Sequence, residues 1–557
     1  MTVTSEDRFL PRTQDVDLTR QANRLGMANM WVAFGAFALA IPMGLYQVAE
    51  RSNLFPVAES ADLYYASVST HGVLMAYVLT TFFIMGYGYH AAIHSLNQSV
   101  WSPAFSWTGF GLSLFGTVLA AYALLSGQAS VMYTFYPPEL AILPFYIGVA
   151  LLVVGSYFWV ADMIIAMMIW RRANPGRAVP LVMFGFAMTA LLWGWTSMGA
   201  VLEVLGQIIP LLLGWVDTIE SGLARTLFSW TLHGIVYFWL FPAYIAMYTL
   251  MPREAGTKLF SDEFARIAFV MLFIFSVPIG FHHLYMDPQQ AAGWKLLHMF
   301  GTFMVAVPTL ITGFTVMGTL ESSGRLRGGK GLFGWIGRMR WGNPATLATI
   351  LAMGMLTFGG FGGVINASYS MNALIHDTQW VTGHFHLIFG GTTVIMYFAV
   401  AYWAWPLMTG RALASRRLAV WQLWTWAIGM CVTTGPWHII GLMGQPRRVD
   451  TLEAYGPALN AAWTPHMAIM MVGSVMLTVS AIMFVWVLVA THLNPRRAAT
   501  TEVAYAIAVH QPMQVPNLLN SLAFWNWAML AYMLISYGYP IAQFWIINAP
   551  QSVPYGY

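Results

Sequence analysis

The stretch QWVTGHFHLIFGGTTVIMYFAVAYWAWPLM, residues 379–408, contains no Asp, Glu, Lys or Arg. A helix that crosses the hydrocarbon core of a membrane needs about 20 apolar residues. The stretch is long enough for this, so it predicts a transmembrane helix. Two of its few polar residues, His384 and His386, lie near one end. Polar groups inside a membrane are costly and often mark functional sites.

The composition of the whole chain extends this interpretation. Of 557 residues, 58% are hydrophobic and 8% are charged, and the mean hydropathy is +0.63. Soluble domains carry about 25% charged residues, so a water-soluble globular protein is excluded. The net charge of +4 is spread over separate loops, which excludes disorder and nucleic-acid binding. The single cysteine, Cys431, excludes a disulfide framework and a thiolate metal cluster formed by this chain alone.

Thirteen apolar stretches predict an all-α polytopic membrane protein of about 13 transmembrane helices. They lie near residues 27–49, 64–90, 105–127, 140–170, 180–213, 226–251, 264–283, 292–319, 345–368, 379–408, 418–443, 462–491 and 521–547. Residues 1–26 are predicted to form a cytoplasmic N-terminal segment and residues 27–547 a single membrane domain. Residues 548–557 are predicted to form an outer C-terminal tail.

The basic residues orient these helices. With the N-terminus in the cytoplasm, 20 of the 25 Lys and Arg residues fall on the cytoplasmic side, as the positive-inside rule requires. The five that fall outside are Arg51, Arg225, Lys295, Arg447 and Arg448. Since the number of helices is odd, the C-terminus is predicted to lie outside.

Six histidines are predicted to lie at one depth in the membrane. A single intramembrane histidine usually serves helix packing, but several at the same level favour a functional site. Counted from the nearest outer loop, the six lie roughly 6–14 Å below the outer boundary at 1.5 Å rise per residue. They are His71, His233, His282, His283, His384 and His386.

The spacing of these histidines indicates two kinds of site. His384 and His386 lie about 200° apart around a helix, so they face opposite ways and could each ligate a planar cofactor. His71 could complete the six-coordination of one haem with His386, which leaves His384 as the sole ligand of the other. The remaining three could form a three-imidazole site with an open position, which suits copper. They are His233, His282 and His283.

These residues resemble the motifs of subunit I of the haem-copper oxidases, over about residues 25 to 545. The motifs are WVTGHFH at 380–386, FHH at 281–283 and WTLHGIVY at 230–237. The resemblance implies that His71 and His386 ligate a low-spin haem and that His384 ligates a high-spin haem. It further implies that the three-imidazole site holds the copper ion that faces the high-spin haem.

Tyr237 separates the oxidases of this family from its nitric oxide reductases, which lack the residue. It lies four residues after His233 and therefore on the same helical face. In the oxidases the matching tyrosine is covalently joined to the matching histidine and supplies an electron and a proton when dioxygen is cleaved. The resemblance therefore implies that Tyr237 is catalytic.

The proton path resembles that of the B-type oxidases. A-type oxidases carry a glutamate two residues after the first copper ligand, where this chain has Ile235, and residues 90–97 contain no aspartate. Hydroxyl groups both donate and accept hydrogen bonds, as proton transfer requires. Five hydroxyl residues form two helical stripes that run toward the cytoplasm. They are Tyr244, Tyr248, Thr309, Thr312 and Thr315.

Several residues near the predicted outer surface are expected to contact the haems. Arg447 and Arg448 suit haem propionates, because guanidinium groups bind carboxylates bidentately. Asn372, His376 and Asp377 lie just above His384 in the sequence, within reach of a propionate. The position of Asn372 is acidic in B-type relatives, and Asp377 is expected to supply that charge here. Tyr133 belongs to a segment that resembles a haem-contacting one.

The resemblance implies a cytochrome c oxidase of a prokaryotic plasma membrane, which reduces dioxygen to water and translocates protons. It implies a low-spin b-type haem, a high-spin a-type haem and one copper ion. The implied partners are a subunit II with a dinuclear copper centre, cytochrome c or a similar donor, and membrane lipid. The alternatives are a nitric oxide reductase, a quinol-driven oxidase, and a transporter with a histidine proton relay.

Some ionisable residues in the apolar stretches receive no role from the sequence. They are His90, His94, Asp162, Glu203, His298, His438 and His466.

Overall fold

A computed structural model describes residues 16–52, 60–510 and 516–546, and the backbone of 554–556. In chain order the helices are α1 (Val16–Ser52), α2 (Ala61–Leu96), α3 (Pro103–Leu125), α4 (Leu143–Ala173), α5 (Leu181–Leu212), α6 (Ser221–Glu254), α7 (Asp262–Ser276), α8 (Ala292–Leu326), α9 (Pro344–Ala367), α10 (Tyr369–Ile375), α11 (Gln379–Thr409), α12 (Arg416–Leu442), α13 (Pro457–Leu493), α14 (Leu522–Met533) and α15 (Tyr539–Ile546). A single turn at Asn517–Asn520 precedes α14.

The prediction of an all-α, multi-pass membrane protein is confirmed. Ten helices among the described residues are long and apolar enough to cross a membrane; these are α1 to α6, α8, α9, α11 and α13. The three other predicted stretches coincide with α7, with α12 and with α14 and α15 together, which do not reach the same length or hydropathy. The count of thirteen spans therefore stays a prediction.

The predicted cytoplasmic N-terminal segment, residues 1–26, stays a prediction. Helix α1 begins within it, at Val16, so residues 16–26 are helical. Ala22 and Leu25 are fully buried in this extension, which explains why the helix continues beyond the apolar stretch. Residues 1–15, and the predicted tail at 548–557 apart from the backbone of 554–556, lie outside the described residues.

The prediction of one helix over residues 264–283 is wrong. Helix α7 ends at Ser276, and His282 and His283 lie on a short 3-10 turn, Phe281–His283. Pro278 lies between them and has no N–H group. A proline therefore cannot donate the backbone hydrogen bond that continues a helix. The two histidines are therefore held by a loop and not by a continuous spanning helix.

Helix starts follow local sequence signals. Ser60, Ser102, Asn343 and Ser415 each accept a hydrogen bond from the backbone N–H three residues later. Such caps satisfy the free N–H groups in the first turn of a helix. Several helices also contain a π-helical segment, and two of these lie just inward of His71 and His386. The π-helical segments are Leu74–Leu79, Val204–Ile208, Leu387–Val394 and Leu534–Gly538.

Short strands connect loops that the charge pattern places on the same side of the membrane. β1 (Thr218–Glu220) pairs antiparallel with β4 (Pro554–Gly556) on the predicted outer side. β2 (Leu259–Ser261) pairs in parallel with β3 (Ala508–His510) on the predicted inner side. The pairing agrees with the predicted alternation of the helices across the membrane. The absolute orientation of the termini stays a prediction.

Glycines allow α3 and α4 to pack backbone to backbone. A Cβ atom at Gly109 would lie 2.8 Å from the carbonyl oxygen of Gly155, and one at Gly155 would lie 2.6 Å from that of Gly109. Two helical turns further along α3, a Cβ atom at Gly148 would lie 2.6 Å from the carbonyl oxygen of Gly116. Small residues at such contacts drive helix association in membranes, where the hydrophobic effect between helices is absent.

We expect Gly148→Leu to lower the thermal unfolding midpoint of the purified protein, because the added side chain has no space against α3. Overpacking of this kind costs about 1–3 kcal/mol. The matched control is Gly111→Leu, since a Cβ atom at Gly111 meets nothing within 4 Å. Equal midpoints for the two variants, measured by circular dichroism in detergent, would contradict this account of the α3–α4 contact.

Candidate functional site

Three histidines converge at the predicted outer end of α6. His233 lies on α6, and His282 and His283 lie on the 3-10 turn that follows α7. One ligand atom from each residue lies within 4.8 Å of the others. The rings of His233 and His282 are 4.2 Å apart and perpendicular. This is the arrangement that three imidazole ligands of one metal ion require.

The nitrogen atoms of this cluster are suited to a metal. Nε2 of His233 and Nε2 of His283 are buried and make no hydrogen bond. Buried polar atoms without a partner are rare, because they lose hydration without compensation. Neutral imidazoles suit copper or zinc. A metal ion bound by the three side chains would satisfy these atoms, so the residues present fit a copper ion.

His71 on α2 and His386 on α11 face each other across a gap. Their ring centroids are 6.3 Å apart, and the ring planes differ by 19°. An imidazole nitrogen binds a transition metal at about 2 Å, so the gap accommodates two such bonds to one central iron. Gly44 of α1 makes room for the His71 ring, because a Cβ atom there would lie 3.0 Å from Cε1. The pair fits a planar macrocycle with two axial ligands.

His384 lies on the opposite flank of α11 and packs against glycines of α9. A Cβ atom at Gly363 would lie 3.0 Å from Cε1 of His384. All six histidines line one cavity of about 630 Å³, together with Tyr133 and Tyr237. The cavity therefore places the His384 ring in the same space as the three-histidine cluster, on the other side of α11 from His71.

Backbone carbonyl groups set the protonation of the three histidines that the sequence predicts to be haem ligands. Nδ1 of His71 lies 2.9 Å from the carbonyl oxygen of Ala40. The corresponding distances are 2.8 Å from His384 to Gly359 and 2.9 Å from His386 to Thr382. A carbonyl oxygen only accepts hydrogen bonds, so each Nδ1 carries the proton. Each Nε2 then keeps its lone pair for a metal, as is typical of ligating histidines.

Tyr237 lies beside the three-histidine cluster. Its ring centroid is 5.1 Å from that of His233, at an angle of 67°, and it lines the cavity. Both residues lie on α6, one helical turn apart, as the sequence predicts. The phenol ring is therefore positioned next to the three histidines that could bind a metal ion.

The predicted hydroxyl stripes meet at one direct hydrogen bond. The Tyr248 hydroxyl donates to Oγ1 of Thr312 over 2.6 Å, between α6 and α8. The Tyr244 hydroxyl is buried near Thr309 but makes no hydrogen bond. Thr309 also lines the cavity that holds the histidines. Tyr248 with Thr312 and Tyr244 with Thr309 thus form two neighbouring pairs between α6 and α8.

The threonine hydroxyls of α8 donate to their own helix. Oγ1 of Thr312 donates to the carbonyl oxygen of Pro308 over 2.9 Å, and that of Thr315 to Ile311 over 2.8 Å. Thr309 donates to Val305 in the same way. The hydroxyl oxygen of Thr312 therefore keeps its lone pairs for α6, where it accepts the hydrogen bond from Tyr248.

An ion pair connects two loops on the predicted outer side. Nη2 of Arg447 lies 2.6 Å from a carboxylate oxygen of Asp377, and the Arg447 N–H donates to the backbone oxygen of Asp377 over 2.9 Å. Partial burial acts to raise the pKa of the Asp377 carboxyl, but Arg447 and His376 outweigh it and hold the pKa below its usual range. Asp377 is therefore a stable negative charge.

The other predicted contact residues surround the same region. Asn372 donates to the backbone oxygen of Asn366 over 2.7 Å, and its Oδ1 lies 3.0 Å from Nδ1 of His376. The Arg448 guanidinium lies over the ring of Tyr133 at 5.7 Å. A polar pocket of about 240 Å³ lies beside His376 and Arg448, and its charged and titratable lining residues are Tyr136, Glu139, Arg225, His283, His376, Asp377, Arg447 and Arg448.

Three residues near the site receive no role from the sequence. Arg225 pairs with Asp287 over 2.9 Å, at the edge of the polar pocket. Thr302 on α8 lies 3.1 Å from Nδ1 of His282. The basic character of Arg225 is visible in the sequence, but its partner is 62 residues away. No local pattern indicates the contact of Thr302 either.

Comparisons with known proteins agree with the geometry. The family model for cytochrome c and quinol oxidase polypeptide I matches residues 24–476. Cytochrome c oxidase subunit 1 of Thermus thermophilus is 38% identical over 496 residues, which is 86% of each chain. That of Thermostichus vulcanus is 28% identical over 461 residues, 79% of each chain. A heme-copper terminal oxidase dimer solved by cryo-EM gives a TM-score of 0.88 at 34% identity, covering 93% of this chain and 92% of that one.

Proposed function

The chain belongs to the family of cytochrome c and quinol oxidase polypeptide I, and from this premise we propose which of its residues carry the chemistry. It is the catalytic subunit of a terminal oxidase and a multi-pass protein of the bacterial plasma membrane. Its cofactors are haem and copper. Its reaction is the reduction of dioxygen with electrons from cytochrome c.

We propose that His71 and His386 are the two axial ligands of the low-spin haem, and that His384 is the ligand of the high-spin haem. His233, His282 and His283 hold the copper ion. The observation that carries this assignment is that all six side chains line one cavity. When bound, the high-spin haem and the copper supply the electrons and the open coordination positions at which dioxygen is reduced to water.

Tyr237 acts as a proton donor in this proposal. Its hydroxyl is in the cavity beside His233, and no carboxylate of the described residues lines that cavity. A phenol is then the acid nearest to the reacting oxygen. Protons reach Tyr237 through Tyr248, Thr312, Tyr244 and Thr309, while Thr315 marks the inner end of the path. The bond from Tyr248 to Thr312 supports this route.

The outer residues hold the haem propionates in place. Arg448 lines the cavity, and its guanidinium lies over the ring of Tyr133. Asp377 offsets part of the charge of Arg447. Arg447 and Arg448 together therefore present less positive charge than two arginines without a carboxylate partner. Asn372 positions His376 in the same region. Asp377 supplies the negative charge that Asn372 lacks.

We further propose a b-type low-spin haem and an a-type high-spin haem. A subunit II brings the dinuclear copper centre, since thiolate ligands are needed and this chain has one cysteine. Electrons enter from cytochrome c through that subunit, and proton translocation accompanies the reaction. Phospholipid covers the apolar outer surface, where side chains such as Phe314 and Phe358 are largely exposed. A quinol in place of cytochrome c would show as quinol oxidation by the assembled complex without cytochrome c.

The optical spectrum tests the assignment of the haem ligands. We expect the purified complex to show two haems, one of which binds carbon monoxide after reduction. His384→Leu should abolish carbon monoxide binding but keep the low-spin spectrum, because His71 and His386 are unchanged. Carbon monoxide binding at full occupancy in this variant would mean that the roles of His384 and His386 are exchanged.

Replacing the phenol tests the role of Tyr237. We expect Tyr237→Phe to retain both haems and the copper, because no hydrogen bond of the fold depends on its hydroxyl among the described residues. Steady-state oxygen uptake should fall at least tenfold. Uptake within about threefold of the wild type would contradict the proposed role, provided that metal analysis shows normal copper.

Thr312→Val tests the proton path. The change keeps the size of the side chain but removes the oxygen atom that accepts the Tyr248 hydrogen bond. We expect turnover to fall at least tenfold, about 1.4 kcal/mol on the barrier, with unchanged haem content. Thr117→Val is a matched control, since Thr117 is buried in α3 and bonds only to its own helix. Normal oxygen and proton uptake in Thr312→Val would show that protons enter elsewhere.

A further inference from the structure

In the 3-10 turn that carries His282 and His283, few backbone groups form hydrogen bonds within the turn itself. Its internal bonds run from the N–H of His283 to Gly280 and from that of Leu284 to Phe281. The N–H groups of Gly280 and Phe281 have no acceptor within the turn, and at this depth in the membrane no water is present to accept their hydrogen bonds. Both are bonded by side chains of other helices, and these side chains therefore determine where the turn lies.

His298 on α8 is the first of these side chains. It is fully buried, and its Nδ1 accepts the N–H of Phe281 over 3.1 Å. Because Nδ1 accepts, the ring proton is on Nε2, which donates to the carbonyl oxygen of Ser536 over 3.2 Å. The ring also stacks on Phe281, with centroids 3.8 Å apart and an angle of 3°. Both ring nitrogens are used, and the orientation of the ring is fixed.

Tyr537 is the second. Its hydroxyl oxygen accepts the N–H of Gly280 over 3.0 Å and lies 3.3 Å from Oγ of Ser229. Ser536 and Tyr537 both belong to the π-helical segment Leu534–Gly538. The last helical region of the chain therefore holds the turn directly, through Tyr537, and indirectly, through His298.

Thr302 fixes the orientation of the His282 ring on this turn. It lies one helical turn after His298, and its hydroxyl donates to the His298 carbonyl oxygen over 2.7 Å. With its single proton used there, it accepts from Nδ1 of His282 at 3.1 Å. This leaves the lone pair of His282 on Nε2. Helix α8 thus fixes both the backbone of the turn and the orientation of one ring on it.

We infer that His298 is a positioning residue of the copper site, acting through the Phe281 N–H on the turn that carries His282 and His283. The inference rests on the proposed function, in which these two residues ligate copper. Outer partners of metal ligands, when removed, typically cost 10–100-fold in metal affinity. A packing role for His298 would instead depend on the size of the side chain and not on its acceptor atom.

Two substitutions separate these roles. His298→Phe keeps the ring and its stacking but removes both hydrogen bonds. His298→Asn places a carbonyl oxygen near the position of Nδ1, so it keeps the acceptor for Phe281 and gives up volume. If His298 positions the turn, Asn should be closer to the wild type than Phe. If it only fills space, Phe should be closer.

The readout is copper retention in the purified complex. The copper-to-iron ratio would be measured by mass spectrometry before and after incubation with a graded series of a copper chelator. We expect His298→Phe to lose copper at a chelator concentration at least tenfold lower than the wild type, with both haems retained. His298→Asn should restore most of the difference. His90→Phe, the same change at a fully buried histidine without hydrogen bonds, should match the wild type.

Two results would overturn the inference: wild-type copper retention in His298→Phe, or a His298→Asn protein that loses copper as readily as His298→Phe. If His298→Phe does not assemble, Tyr537→Phe provides the test, since it removes the acceptor of the Gly280 N–H and keeps the ring. Unchanged copper retention in that variant would then contradict the inference. Failure of the proposed function is distinct, because the wild-type complex itself would then contain no copper at this site.

Discussion

The cost of burying an imidazole without a hydrogen-bond partner shapes the centre of this protein. Three histidines each donate the Nδ1 proton to a backbone carbonyl group. That carbonyl belongs to α1 for His71, to α9 for His384 and to α11 itself for His386. The donation satisfies one nitrogen and leaves the other for a metal. The packing of helices α1, α2, α9 and α11 therefore determines which ring nitrogen of each histidine keeps its lone pair. Glycines at 44 and 363 let the rings approach those helices.

Those parts of the site that follow from chain periodicity could be predicted from the sequence, and those that depend on distant contacts could not. The depth of the four histidines that lie on helices and the opposite directions of His384 and His386 follow from helical geometry. The 3-10 turn at His282 does not, although Pro278 gives a local signal for the end of α7. The partners of His298 lie 17 and 238 residues away, and no periodic pattern connects residues at such separations.

The polar groups divide into two regions of different character. On the predicted outer side, charges are paired, as in Arg447 with Asp377 and Arg225 with Asp287. On the inner side of the histidine cluster, the described polar groups between α6 and α8 are neutral hydroxyls, and only Tyr248 and Thr312 bond directly. Neutral hydroxyls need no counter-ion in a medium of low dielectric constant. The region between α6 and α8 can therefore remain polar inside an apolar bundle, while these two ion pairs lie on the predicted outer side of the histidines.

The hydrogen bond from Gly280 to Tyr537 has a consequence for the order in which parts of the fold form. The two residues are 257 positions apart, and at about 5–20 residues per second the ribosome needs on the order of 10 to 50 seconds to cover that distance. During this time the turn with His282 and His283 has been made, but it lacks the hydrogen bond from Gly280 to Tyr537. In the proposed assignment these two histidines ligate copper, so the turn that carries them gains its last hydrogen bond only after residue 537 has been added to the chain.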